Sequence, residues 1–121
     1  MPHLTLEYSC NLDGFDATAT LIALNEALVA SGHFDEPDIK SRALRFDEFV
    51  VGTTGAPRAF AHAKLALLSG RSVDVKRDLA EHVLAVLKVR CHAPSGTHLQ
   101  LCAEMFEIER ESYAKASIAP R

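Results

Sequence analysis

The sequence predicts an α+β fold in which two tandem β-α-β units form one four-stranded sheet with two helices on one face. Three observations predict it. Four extended segments are interleaved with two segments whose apolar residues recur at helical spacing. The order is strand, helix, strand, and then the same again. The two halves are alike in element order and length, although weakly related residue by residue. Right-handed crossovers then place both helices on the same side of the sheet.

Each element has its own signal. "HLTLEY" alternates, with Leu4, Leu6 and Tyr8 on one face and His3, Thr5 and Glu7 on the other, as a half-buried strand does. "NLDGF" breaks it with turn residues. From about Asp16 to Ala30, Leu21, Leu24, Leu28 and neighbouring alanines keep a helical period, which "SGHF" stops with a glycine. "IKSRALRFDEFVV" is a second extended stretch, "GTTGAP" a loop of turn formers, and "RAFAHAKLALL" a third strand. Two neighbouring strands joined by so short a loop predict a hairpin.

In "SGRSVDVKRDLAEHVLAVLKVR", Ser72 is the expected N-cap and Asp74 lies in the first turn. Val75, Leu79, Val83, Val86 and Leu87 form the apolar stripe. Lys88 and Arg90 complement the dipole at the far end. "HAPSGTH" interrupts, and "LQLCAEMFEIE" is the fourth strand. The tail from about Glu111 is polar and is expected to order only by packing on something. The second sheet face also carries apolar residues from several strands, so burial against other copies of the chain is expected there.

Composition narrows the classes of function. A chain of 121 residues fits one domain, 1–121, able to bury about two-thirds of its unfolded surface. A formal net charge of −3 argues against a duplex-binding surface, so no nucleic-acid partner is expected. No apolar run approaches the roughly 20 residues that span a bilayer, and the start lacks a signal-peptide pattern, so no membrane partner is expected. The odd cysteine set of Cys10, Cys91 and Cys102 has no framework spacing and fits a reducing cytoplasm.

The chemistry-bearing candidates lie at strand and helix ends. Proline follows the start methionine, and its side chain is small enough for that methionine normally to be trimmed. Trimming leaves Pro2 with a free secondary amine. A free α-amine titrates near about 8, against about 10.4 for lysine, and burial or nearby cations lower it further. A base so tuned suits proton shuttling. The cations are Arg71, at the junction of the third strand and second helix, and Lys40 and Arg42, two apart and on one side of the second strand. An arginine fork can hold a carboxylate bidentately, whereas lysine offers a point charge.

Other groupings carry less. Cys91, His92, His98 and Cys102 match no standard zinc spacing and are expected to be surface and packing residues, so no metal is assigned. Glu81-His82 opens like a metalloprotease helix, but position 85 is Ala85 and the second ligand is missing. His62 is expected to be a partly buried strand histidine. "GTTGAP" lacks the lysine and following helix of a nucleotide loop.

Four segments, "PHLTLEYS", "IKSR", "LLSGRSVDVKRDLAEHVL" and "LCAEMFEIERESYAK", resemble the 5-carboxymethyl-2-hydroxymuconate isomerase family of the tautomerase superfamily. The Gly-Arg-Ser junction is also similar to that of 4-oxalocrotonate tautomerase, a chain about half as long. The doubled β-α-β is then a fused pair of the short unit. The resemblance spans nearly the whole chain and implies a tautomerase (MIF-like) fold, a homotrimer with pockets near subunit boundaries, and catalysis without a cofactor. It places the catalytic proline on Pro2, the junction arginine on Arg71 and a further cation on Lys40, where some relatives have arginine. Arg42 is the alternative for that role. The implied substrate is a small carboxylated dienol, 5-carboxymethyl-2-hydroxymuconate, met in 4-hydroxyphenylacetate breakdown through homoprotocatechuate. Two alternatives stay open: another tautomerase-superfamily activity such as 2-hydroxymuconate tautomerase, and a non-catalytic trimeric ligand-binding protein.

Overall fold

The computed structural model describes residues 1–121. The elements are β1 (His3–Ser9), α1 (Ala17–Ala30), β2 (Lys40–Phe46), β3 (Arg58–Leu68), α2 (Val73–Arg90) and β4 (His98–Ile108). Short 3₁₀ turns occupy Glu36–Asp38 and Arg110–Ser112. Asp16 caps α1 by accepting from Ala19 N, and Ser72 caps α2 by accepting from Val75 N, so each helix starts where an orphan donor finds a side-chain oxygen.

The sheet order is β2-β1-β3-β4, with β1/β2 and β3/β4 parallel and β1/β3 antiparallel. The hairpin expected between the second and third strands does not form, because β1 lies between them. Neighbouring strands stand about 4.8 Å apart, so a chain leaving β2 for β3 must pass the end of a whole strand. The connection is correspondingly long: β2 stops at Phe46 rather than running on to Val51, and residues 47–57 make the crossing. The two β-α-β units instead meet through their first strands. Lys40 N donates to Pro2 O at 3.1 Å, and His98 N donates to Pro57 O at 3.0 Å, the same contact at the same place in each half.

Both helices cover one face. Thr20, Leu24 and Leu28 of α1 and Leu79, Val83 and Leu87 of α2 are buried at four-residue intervals. All of these but Thr20 pack with Leu4, Leu6, Ala61, Ala63, Leu65 and Leu67 in one core. Ala59, Ala61 and Ala63 of β3 are buried on this face. The opposite face is less apolar than its sequence suggests. Lys64 Nζ lies 2.8 Å from Glu7 Oε1, and His62 Nε2 lies 2.6 Å from Glu104 Oε1, so an ion-pair band crosses β1, β3 and β4. Leu44 and Phe106 remain exposed on that face. The polar tail packs back across one end of the sheet.

Candidate active site

The site starts at the residue before β1. Pro2 is fully buried, on the side of the strand that also buries Leu4 and Leu6, and its carbonyl is pinned to the first amide of β2. The α-amine beside it, that of Met1, is held below its ordinary value. Burial is the main cause, opposed by the Asp38 carboxylate and reinforced by the positive charges of Lys115, Lys40 and Arg71.

The turn before β2 organises these charges. Lys40 Nζ donates to Asp38 O at 2.7 Å, and Lys115 Nζ donates to Asp38 Oδ1 at 3.0 Å. The bond from Lys115 holds the Asp38 carboxyl below the usual carboxylate range. Arg71 enters from the other side, between the end of β3 and the cap of α2. Its Nη2 donates to His33 O at 3.3 Å, and its Cζ stands 4.8 Å above the Phe34 ring. The remaining guanidinium donors stay available for a ligand.

Of the sequence-predicted cations, Lys40 and Arg71 are the two whose charge reaches the α-amine of Met1, the residue before Pro2. Arg42 does not join them. It lies one register step along the open face, where its Nη2 stands 3.3 Å from His3 Nδ1. A guanidinium can only donate, so Nδ1 accepts, and a neutral His3 carries its proton on Nε2, 3.1 Å from the Tyr113 hydroxyl. Burial first, and then the charge of Arg42, push His3 below its ordinary value, which favours that neutral form.

Asp38, Lys115, His3 and Tyr113 were missed as site residues. His3 had a signal, since strand alternation puts it with Thr5 and Glu7 on the polar face beside Pro2. Lys115 and Tyr113 lie in the segment "LCAEMFEIERESYAK" that carries the resemblance, but nothing local points to their partners, 77 and 110 positions away.

None of the chain's three cavities is lined by Pro2, Lys40, Arg42 or Arg71. The largest, about 680 Å³, lies between α1 and the Glu36–Asp38 turn, and its charged lining residues are Glu26 and Glu36. Two carboxylates and no cation suit a polyanion poorly. The cation cluster at the amino terminus is the better chemical site. Elsewhere, Cys91 is buried in the core, and burial pushes its thiol up to about 11, consistent with a packing role. His62 is partly buried on β3, as expected.

The arrangement joins an amine of reduced basicity to three cations that can hold carboxylates and stabilise developing negative charge. A family model described as 5-carboxymethyl-2-hydroxymuconate isomerase matches residues 2–121. A 5-carboxymethyl-2-hydroxymuconate isomerase from Deinococcus radiodurans R1 is 31% identical with a TM-score of 0.84, covering 97% of this chain and 90% of its own. Two more distant structures share the fold. A 5-carboxymethyl-2-hydroxymuconate delta-isomerase is 23% identical (TM-score 0.69, covering 98% of this chain and 89% of its own). A fused 4-OT, a wild-type symmetric trimer, is 20% identical (TM-score 0.74, 94% and 91%). No curated protein matches the chain.

Proposed function

The chain belongs to the 5-carboxymethyl-2-hydroxymuconate isomerase family and is an isomerase, and from that premise we propose that Pro2 is its catalytic base. Removal of Met1 would leave the secondary amine of Pro2 next to the position whose amine the charges of Lys115, Lys40 and Arg71 depress. A neutral prolyl nitrogen takes the proton from the 2-hydroxyl of 5-carboxymethyl-2-hydroxymuconate. It returns that proton to a remote carbon, giving the conjugated 2-oxo-3-ene product. One proton leaves oxygen and one reaches carbon, so the step balances without a cofactor. Arg71 and Lys40 hold substrate carboxylates and stabilise the charge that develops on the 2-oxygen. Arg42 is assigned the lesser part, because it faces His3.

One observation carries this reading: Pro2 is buried at the start of β1, next to an amine on Met1 that burial holds below its ordinary value, with Asp38 opposing and Lys115, Lys40 and Arg71 assisting. The working form is taken to be a cytoplasmic homotrimer acting in 4-hydroxyphenylacetate breakdown. Support for the trimer comes from the trimeric fused 4-OT that shares the fold. The test pairs the mass of the mature chain with ultraviolet-monitored ketonisation of the tricarboxylate dienol and of 2-hydroxymuconate. Loss of Met1 and faster turnover of the tricarboxylate are expected. Faster turnover of the dicarboxylate assigns 2-hydroxymuconate tautomerase activity instead, and no turnover of either leaves a binding protein.

A further inference from the structure

The C-terminal tail is tied down along one end of the sheet. After β4, Ser69 N donates to Ile108 O at 2.9 Å, and Arg110 Nη2 donates to Ser69 O at 3.1 Å, beside the end of β3. Tyr113 then meets His3 at the start of β1, and Lys115 meets Asp38 just before β2. The tail thus crosses three strand ends in turn and delivers an ammonium group to the amino terminus.

We propose that Lys115 is a specificity-determining residue that binds the third carboxylate of a tricarboxylate substrate at this site. The inference rests on the amino-terminal site described above. Lys40 and Arg71 are matched by two carboxylates, and a third substrate carboxylate needs a third cation. Lys115 is placed for it, 3.0 Å from Asp38 just before β2 and near enough to the amino terminus for its charge to act there. Its ammonium has three donors, and Asp38 engages one. Asp38 therefore holds Lys115 in position and still leaves donors for the substrate. A dicarboxylate makes no use of the added charge.

Lys115→Met, with Lys115→Arg as the charge-restoring control, is assayed on the tricarboxylate dienol and on 2-hydroxymuconate. The ratio of kcat/KM for the tricarboxylate over the dicarboxylate falls about tenfold in Lys115→Met, chiefly through KM, and Lys115→Arg recovers most of it. An unchanged ratio, or an equal fall on both substrates, overturns the proposal. Calorimetric binding of benzene-1,3,5-tricarboxylate and benzene-1,3-dicarboxylate gives a readout independent of turnover. A preference for the tricarboxylate that disappears in Lys115→Met supports the role of Lys115 even if neither dienol is turned over, an outcome that would sink the isomerase mechanism alone. Absence of that preference in the unmodified protein overturns the role of Lys115. The side chain is a third exposed, so the variant is expected to fold normally.

Discussion

Replacing Arg71 with alanine separates binding from folding. In the free chain its guanidinium makes one hydrogen bond of 3.3 Å, to His33 O, and lies 4.8 Å from the Phe34 ring centroid. A cation–π contact at a partly exposed site contributes about 0.5–1 kcal/mol, and a long neutral-acceptor hydrogen bond adds little. A loss of about 1 kcal/mol lowers Tm by about 3–5 °C in a domain of this size. The catalytic loss is larger. A charge-assisted carboxylate contact contributes about 1.5–3 kcal/mol, so kcat/KM on the tricarboxylate dienol falls about 10- to 150-fold. Arg71→Lys keeps the charge without the fork and gives an intermediate loss. Initial rates at several substrate concentrations, beside a thermal melt of each variant, measure both. A kcat/KM within twofold of the parent protein refutes the placement of Arg71 at the substrate. So does a Tm drop large enough to account for the whole loss.

Lys40→Met raises KM about tenfold, whereas Arg42→Met has a smaller effect, because the amino terminus feels the charge of Lys40 and His3 faces Arg42; initial rates distinguish them. His3 carries a lowered value in the folded chain, so below its ordinary value, near about 6.5, the unfolded chain binds the proton more readily. Stability contributed by neutral His3 is therefore present at pH 7 and lost as pH falls through that window. Urea midpoints at pH 5 and pH 7 should converge in His3→Gln relative to the parent. Cys91, with its thiol pushed up to about 11, stays unreactive toward a thiol reagent at pH 8 while half-buried Cys10 reacts, and becomes reactive in urea.

Local chemistry made much of the fold legible. Ser72 caps the helix it was expected to cap, the first helix starts one residue after the expected Asp16, which caps it instead, and Leu24, Leu28, Leu79 and Leu87 are core as their spacing requires. Strand order was not legible. Alternation reports which face of a strand is buried and not which strand lies beside it, so a loop such as "GTTGAP" suggested a hairpin that the β1/β3 pairing excludes. The ion-pair band of Glu7, His62, Lys64 and Glu104 was hidden for a related reason, since each pair forms only once the register across β1, β3 and β4 is set. Pro2, Lys40 and Arg71 stood out in the sequence through the family resemblance and because each sits at an element boundary. Lys115 reaches them through tertiary packing of a tail whose local sequence has no pattern.

The central claim is that an unblocked prolyl nitrogen at the amino terminus does the proton transfer. The most direct measurement compares ketonisation of the tricarboxylate dienol by protein beginning at Pro2 with that by protein carrying an extra residue before it, at matched Tm. The account predicts a rate for the extended form lower by about a hundredfold or more, the contribution of a positioned general base. Equal rates would contradict it.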